Sequence, residues 1–225
     1  MSTVGNWRGP SIVKDGLVLY LDAGSPNSYF NKTSTTWKDM SGSASNGTLI
    51  NGPTYDSLNG GSIVFDGTND YADITALSLS NWTVSCFFKS ANVAGNFKGI
   101  IEFALTSDGR SGIGINTNGK PLIAYPSNKY NVSTDSNVDT NTWYHLTGTF
   151  DGTTPKLYLN GILQNLSGPN GASGAGTLNK IFIGNFTVGS YYLNGNVSIV
   201  NIYNRAISSQ EVLQNYNALK GRYGL

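Results

Sequence analysis

The sequence predicts an all-β fold of short antiparallel strands, arranged as a sandwich or a barrel, with one short helix near the C-terminus. Gly, Asn and Ser interrupt the 225-residue chain about every eight to twelve residues, and short apolar or alternating runs lie between them. The segment Trp82–Lys89 alternates with a period of two. Two Asn-Gly dipeptides separate pairs of such runs, which is typical of β-hairpins.

The segment Trp82–Lys89 has the clearest strand pattern. One face carries Trp82, Val84, Cys86 and Phe88. The other face carries Thr83, Ser85, Phe87 and Lys89. Successive side chains of a strand point to opposite faces, so the first set is expected to enter the core. Cys86 lies in that set and is therefore interpreted as a small buried hydrophobe rather than a nucleophile.

Further strands are predicted wherever a short apolar run lies between turn residues. They are Leu17–Leu21, Ser62–Phe65, Gly99–Phe103, Gly112–Ile115, Leu122–Tyr125, Trp143–Phe150, Lys156–Leu159, Lys180–Ile183 and Val197–Tyr203. Asn118-Gly119 separates GIGINT from KPLIAY, and Asn160-Gly161 separates KLYL from ILQ, so each is predicted to join the two strands of a hairpin. Both dipeptides suit type I′ turns, which need positive φ at the two central residues.

The C-terminal segment carries the start and stop signals of a helix. Ser208 and Glu211 have the spacing of a capping box, apolar residues follow at helical intervals, and Gly221 is expected to end the helix. Glu211 is therefore interpreted as a helix-capping residue rather than a catalytic one. The Gly-, Ser- and Asn-rich segment 163–178 is predicted to be a loop, and residues 1–15 to be an extended arm ahead of one domain, residues 16–225.

The charge pattern excludes several classes of protein. Lys and Arg number 14 and Asp and Glu number 13, so the net charge of +1 gives no reason to expect binding to nucleic acid or to an anionic membrane. A single cysteine excludes an intrachain disulfide. Residues 1–11 contain no apolar stretch of the kind found in Sec signal peptides, which predicts synthesis in a cytoplasm without a signal peptide.

Residues for acid/base catalysis are scarce. The chain has two Glu residues, Glu102 and Glu211, and one His residue, His145. A glycoside hydrolase needs two carboxyl groups that flank the scissile bond, and Glu102 has no acidic partner two or four residues along its strand. His145 lies beside aromatic residues and is interpreted as a hydrogen-bonded structural residue. We therefore expect no enzymatic activity and no required cofactor.

One loop contains the oxygen ligands that calcium prefers. Asp66, Asn69 and Asp70 lie within five residues, and Gly67 permits a tight turn between them. They are the candidate ligands of a calcium ion. The alternative is a network of Asx turns that stabilises the connection between two strands.

Tyrosines in or beside Gly-, Ser- and Asn-rich segments are candidates for stacking against sugar rings. They are Tyr125, Tyr130, Tyr191 and Tyr192. Tyrosine offers a large apolar face with a polar tip, which suits a partly wet binding surface. The alternative for each is ordinary packing in the core or at a sheet edge.

A series of short motifs resembles one family of β-sandwich domains. The motifs are GLVLYLDAG (16–24), TTWKDMSG (35–42), NGTLINGPTY (46–55), GGSIVFDGTNDY (60–71), WTVSCFFKS (82–90), NTWYHLTGTFDG (141–152), KLYLNGILQ (156–164), IFIGNF (181–186) and IVNIYNRAISSQEV (199–212). In this order they resemble the laminin-G-like, concanavalin-A-type jelly-roll domain in its pentraxin-related branch, over residues 16–219. The resemblance implies an antiparallel two-sheet jelly-roll sandwich, and sugar or calcium binding at its rim.

The first two motifs also resemble a narrower group, which consists largely of structural proteins of large tailed bacteriophages. That resemblance implies a non-enzymatic protein on the virion surface, as a capsid decoration, a head fibre or part of the tail adsorption apparatus. Its partners would be other virion proteins and, weakly, host or environmental glycans, and oligomers would form through the domain itself. Trp7 and Arg8 in the arm are the candidate contacts to a neighbouring protein. The alternative is a cellular carbohydrate-binding module or adhesin.

Overall fold

A computed structural model describes residues 10–31, 33–75, 77, 79–105, 110–126, 129–168, 178–186 and 191–225. Short strands and one helix make up the regular structure of these residues. The strands are β1 Leu17–Asp22, β2 Thr36–Trp37, β3 Gly47–Ile50, β4 Thr54–Asp56, β5 Ser62–Asp66, β6 Tyr71–Thr75, β7 Trp82–Ser90, β8 Lys98–Leu105, β9 Arg110–Ile115, β10 Pro121–Tyr125, β11 Lys129–Ser133, β12 Trp143–Phe150, β13 Pro155–Leu159, β14 Ile162–Leu163, β15 Leu166–Ser167, β16 Leu178–Ile183, β17 Asn185–Phe186, β18 Tyr191–Tyr192 and β19 Asn194–Tyr203. The helix is α1 Ser209–Leu219, and a 3₁₀ turn, Lys220–Tyr223, follows it.

Two large sheets form a sandwich. The eight-stranded sheet has the order β14-β13-β12-β7-β19-β5-β4, and β1 also pairs with β19. The nine-stranded sheet has the order β15-β11-β10-β9-β8-β16-β6-β3-β2, and β17 and β18 form a separate hairpin. Every pairing among the described strands is antiparallel. This is the predicted antiparallel two-sheet sandwich, and it is consistent with a jelly roll.

The core lies between the two sheets and follows the alternation of the strands. Trp82, Val84, Cys86 and Phe88 all enter it, as the period-two pattern predicts. The nine-stranded sheet contributes inward side chains such as Ile113 and Ile181 from the opposite side. Each large apolar side chain fully removed from water contributes about 1.5–3 kcal/mol, so this alternation fixes which face of each strand is inside.

All ten strands predicted from the sequence are present, several of them one to three residues longer. The arm after the Asn160-Gly161 turn, β14, is present as well. The strands without a sequence prediction are β2, β3, β4, β6, β11, β15, β17 and β18. Most of these have two to four residues, or lie in polar stretches in which tertiary pairing outweighs intrinsic propensity. The prediction that residues 163–178 form only a loop is wrong at its start, since β15 pairs with β11.

The two Asn-Gly hairpins differ in their turns. Asn160 and Gly161 both have positive φ, +51° and +80°, as a type I′ turn requires. In the other hairpin only Gly119 does, so the type I′ prediction is wrong there. The side-chain oxygen of Asn116 accepts hydrogen bonds from the backbone N–H groups of Asn118 and Lys120, which closes a longer loop instead.

The helix covers the outer face of the eight-stranded sheet. The predicted capping box is confirmed: the Ser208 hydroxyl accepts from the Glu211 N–H, and the Glu211 carboxylate accepts from the Ser208 N–H. The helix ends at Leu219 rather than at Gly221, because the chain tightens into the 3₁₀ turn. Tyr223 of that turn stacks on Phe87 with ring centroids 4.2 Å apart, which explains why the outer face of β7 is buried too.

Part of the predicted N-terminal arm contacts this helix. The Val13 N–H donates to Asn215 Oδ1 at 2.8 Å, and the Val13 carbonyl accepts from the Tyr203 hydroxyl at 3.1 Å. Trp7 and Arg8 lie outside the described residues. None of the described helices is long and apolar enough to cross a membrane.

Candidate functional site

The outer face of the nine-stranded sheet carries a partly exposed cluster of aromatic side chains. Strand register defines this face, because paired residues of neighbouring strands project to the same side. Ala124 pairs with Tyr130, and Leu122 pairs with Val132 and with Gly114. The intervening Ile123 and Tyr125 point into the core.

The β17–β18 hairpin lies against this face and places Phe186 on it. The Phe186 side chain packs on Leu122 and Ala124. A Cβ atom added to Gly114 would come within 2.8 Å of the Phe186 ring, and one added to Gly99 would collide with the Phe186 backbone. The two glycines therefore allow a second layer of chain to approach the sheet at this point.

Phe97 and Tyr191 pack against the cluster that contains Phe186, and Tyr130 lies against Phe97. We call Phe97, Tyr130 and Tyr191 the aromatic patch. The centroid of the Phe97 ring lies 5.6 Å from that of Tyr130 and 5.4 Å from that of Tyr191. Tyr130 is 43% exposed, and Phe97 and Tyr191 are half-buried. Aromatic rings at these separations attract one another, so the contacts with Phe97 hold the Tyr130 and Tyr191 rings in place.

Two cations lie beside the patch. The Arg110 guanidinium is 5.8 Å from the centroid of the Phe186 ring. The Lys98 ammonium donates to the carbonyls of Asn96, at 2.7 Å, and Ala94, at 3.4 Å. Burial lowers the pKa of Lys98. These two bonds tie down the loop that leads into Phe97, so Lys98 positions one of the three rings.

Two carboxyl groups on the same sheet face come from different strands. Phe182 pairs with Asp73 on one side and with Glu102 on the other, so the two acids lie two strands apart, on either side of the Phe182 position. Asp73 forms an ion pair with Lys180, and Glu102 is buried. Neither acid has an acidic partner along its own strand, and only the register across three strands brings the two to one row, so the sequence pattern does not reveal this pair.

The predicted sugar-stacking tyrosines have different positions. Tyr130 and Tyr191 come together in the aromatic patch. Tyr125 does not: it is fully buried, and its hydroxyl donates to Asn131 Oδ1 at 2.8 Å, so its prediction as an exposed stacking residue is wrong. The reason is its place in β10, where alternation turns it inward. Tyr192 is half-buried and pairs with Asn185, and alternation points it away from Tyr191.

The predicted calcium loop contains a network of Asx turns. Asp66 Oδ1 accepts from the backbone N–H groups of Thr68, Asn69 and Asp70 at 2.7, 3.2 and 3.4 Å. These bonds, that from Thr68 above all, lower the pKa of Asp66, whereas burial raises that of Asp70. Among the described residues no group of three or more His, Cys, Asp or Glu side chains is placed to hold a metal ion. The calcium site stays a prediction, which thermal unfolding with added calcium would check.

Cys86 and His145 are both buried structural residues. Cys86 is 1% exposed, and burial raises the pKa of its thiol. His145 lies beneath the helix, 2.8 Å from the Ser85 hydroxyl through Nε2, and its ring is 4.5 Å from that of Phe87. Burial lowers the pKa of His145 to about 3, so the ring is neutral near pH 7.

The sequence model of the family described as "Concanavalin A-like lectin/glucanases superfamily" (Laminin_G_3) matches residues 66–213. This span includes the whole aromatic patch. The chain belongs to this superfamily. No curated protein matches it.

Solved structures share the superfamily fold at low sequence identity. Trypanosoma rangeli sialidase in complex with the inhibitor DANA aligns with a TM-score of 0.70 and 14% identity, over 92% of this chain and 33% of that one. Domain 4 of AbnA, a GH43 extracellular arabinanase from Geobacillus stearothermophilus, in complex with arabinotriose, aligns with a TM-score of 0.67 and 16% identity, over 89% of this chain and 98% of the domain. The binding domain of Paraclostridial Mosquitocidal Protein 1 aligns with a TM-score of 0.66 and 18% identity, over 91% of this chain and 52% of that one.

The chain thus spans about a third of the length of the sialidase and about half of the mosquitocidal binding domain. At these identities the likeness establishes the fold, and function has to be argued from the site.

Proposed function

We propose that this protein binds carbohydrate through the aromatic patch and does not hydrolyse it. The observation that carries the proposal is the convergence of Tyr130, Phe97 and Tyr191 around the floor formed by Phe186. Exposed, rigid aromatic faces pack against the C–H faces of sugar rings, and the tyrosine hydroxyls supply hydrogen bonds at the rim. The lectin/glucanase-type fold and the bound arabinotriose in domain 4 of AbnA support this proposal.

The acidic residues on the same face favour binding over hydrolysis. A hydrolase needs two carboxyl groups on either side of one glycosidic bond, about 5–10 Å apart, with a free path to the sugar. Asp73 is engaged by Lys180, Glu102 is buried, and Phe182 lies between them in the register. We infer that these groups hold the sheet face together. A Glu102→Gln variant should therefore leave any glycan binding in place.

We further propose that the protein acts on the surface of a tailed-phage virion, as a capsid decoration, head fibre or tail adsorption component. The GLVLYLDAG and TTWKDMSG motifs support this, and Trp7 and Arg8 would contact the neighbouring virion protein. Many copies on one particle would convert millimolar contacts into avidity. The test is cryo-electron microscopy of particles from the native source. If no capsid or tail lattice contains this chain, the alternative is favoured, a cellular carbohydrate-binding module or adhesin.

The binding experiment compares two exposed side chains. Tyr130 is 43% exposed in the patch and Leu213 is 45% exposed on α1, over the other sheet. Tyr130→Ala should raise the Kd for a bound oligosaccharide about fivefold, which corresponds to the loss of about 1 kcal/mol of ring contact. Leu213→Ala should leave the Kd unchanged. Equal Kd values for both variants and the wild type would exclude the aromatic patch as the binding surface.

A further inference from the structure

A second cleft lies where both sheets end, far from the aromatic patch. It has a volume of about 460 Å³, within the range of about 300–1,000 Å³ for small-molecule sites. Its lining comes from the segment before β2, from β3 and from the turn into β4. Six strand spacings separate β11, which carries Tyr130, from β3, or about 29 Å at about 4.8 Å per strand. The near end of the patch, at Phe97 just before β8, lies three spacings from β3, or about 14 Å, so the cleft and the patch are separate places on the protein.

The floor of this cleft is aromatic and fixed. The Tyr29 and Tyr55 rings have centroids 5.7 Å apart, and the Tyr29 hydroxyl donates to the Ser34 carbonyl at 2.9 Å. Tyr29 and Leu49 are buried, and Tyr55 is half-buried. Tyr55 packs on the buried Tyr29, so its ring needs no rearrangement to contact a ligand.

The described residues of the cleft rim are polar but uncharged. The exposed side chains of Thr33, Thr35, Asn51 and Thr54 surround the floor. Within the described part of the chain, no hydrogen bond occupies the hydroxyls of Thr35 and Thr54, which leaves both able to donate and accept. Asn51 has φ of +67° and donates from Nδ2 to the Asn69 carbonyl at 2.8 Å, which orients its side-chain amide.

We propose that this cleft is a second carbohydrate site, and that it takes a neutral sugar. An aromatic floor with a rim of hydroxyl and amide groups matches a ligand that has an apolar C–H face and a hydroxyl edge. Among the residues that the structure describes, no acidic or basic side chain lines the cleft, so this lining offers nothing to pair with the charge of a uronate, a sialate or a phosphate. By contrast, the cleft beside α1 is lined by Asp151, Lys156, Arg205 and Glu211.

Two sites per chain would let one molecule cross-link neighbouring chains of a polysaccharide. This consequence rests on the proposed function, since the aromatic patch has to bind as well. The second site itself does not, because its lining shares no residue with the patch.

Chemical-shift mapping of the full-length protein separates the two sites. The probes are cellotriose, maltotriose and arabinotriose as neutral sugars, and sialyllactose as the charged comparison. We expect at least one neutral probe to shift the resonances around Tyr55, and sialyllactose to leave them in place. Thr35→Val with Thr54→Val removes both hydroxyls at nearly constant shape and should weaken that response about fivefold or more.

Thr48→Val is the matched control, since Thr48 is an exposed threonine on β3 outside the cleft. Shifts around Tyr191 alone, with none around Tyr55 for any neutral probe, would overturn the second site and leave the proposed function intact. Shifts around Tyr55 alone would support the second site and count against the patch. An equal response of the double variant and the wild type would also overturn the second site, because the rim hydroxyls would then not be ligand contacts.

Discussion

The Phe186 ring fills the space directly above Gly114, within 2.8 Å of the position that a Cβ atom would take on that glycine. This contact fixes the β17–β18 hairpin to the nine-stranded sheet, and the hairpin carries Tyr191 into the aromatic patch. The lack of a side chain at Gly114 thus leaves room for the hairpin that carries Tyr191, about 77 positions later in the chain. The patch depends on backbone packing as much as on its own rings.

Gly114→Ala tests this dependence. The added methyl group would collide with the Lys98 carbonyl oxygen of β8 and meet the Phe186 ring at 2.8 Å, so the β8–β9 pairing or the Phe186 ring must shift. We expect a loss of about 1–3 kcal/mol in the free energy of unfolding together with weaker glycan binding. Chemical denaturation and sugar titration of the same sample measure both. Gly221→Ala is the control, because a Cβ atom there meets no heavy atom within 4 Å. If Gly114→Ala were as stable and as active as Gly221→Ala, Phe186 would not seat the hairpin.

Lys98→Met tests the positioning of Phe97. The substitution keeps most of the side-chain volume but removes the two bonds to the carbonyls of Ala94 and Asn96. We expect the Kd for sugar to rise about threefold, because the loop before Phe97 is no longer held, with the secondary structure retained in circular dichroism. Lys89→Met, on the other sheet and over the Trp143 ring, should bind like the wild type. An unchanged Kd in Lys98→Met would mean that other contacts orient Phe97.

Glu211 makes stability depend on acid pH. Its bonds with Arg205 and with the Ser208 N–H lower its pKa from 4.5 to about 2, so the folded state favours the ionised form. This contribution is complete above about pH 4.5 and disappears as the pH falls towards 2. Glu211→Gln retains the capping box but loses the ion pair, and should cost about 1 kcal/mol near pH 7 and nothing near pH 2. Urea unfolding across this range is the test, and a pH-independent difference would contradict the assignment.

His145 produces a second, separate pH dependence. Its pKa is about 3 in the folded protein and 6.5 in the unfolded chain, so the unfolded state binds more protons between these values. The free energy of unfolding therefore falls as the pH drops below about 6.5, and this group alone contributes up to about 1.4 kcal/mol per pH unit. His145→Gln loses the bond to Ser85 and starts less stable, but its stability should change less between pH 6.5 and 5. A slope equal to that of the wild type would show that His145 is not buried in its neutral form.

Local patterns were enough to predict the antiparallel strands and the helix, and the order of the motifs, through their resemblance to a known family, predicted the two-sheet sandwich. The alternation around Val84 and Cys86 and the spacing of Ser208 and Glu211 each depend on a few neighbouring residues, and both are confirmed. The type I′ turn predicted at Asn118-Gly119 is wrong, because the side chain of Asn116, outside that dipeptide, closes the loop.

The site could be predicted only in part. Tyr130 and Tyr191 were found one by one from their polar surroundings, but their meeting at Phe97 depends on strand register and on the hairpin seated at Gly114. Tyr125 has similar neighbours in sequence, yet alternation in β10 buries it. The cleft at Tyr55 gave no sequence signal, because chain segments that are ordinary on their own form it together.

The central claim is that the aromatic patch binds carbohydrate, and multivalent display on a glycan array tests it most directly. The wild-type protein, Tyr130→Ala and Leu213→Ala would be coupled at equal density to beads and applied to the same array. We expect beads that carry the wild type or Leu213→Ala to bind saccharides on the array, and beads that carry Tyr130→Ala to show a marked loss of that binding. No signal for the wild type under multivalent display, or an undiminished signal for Tyr130→Ala, would contradict it.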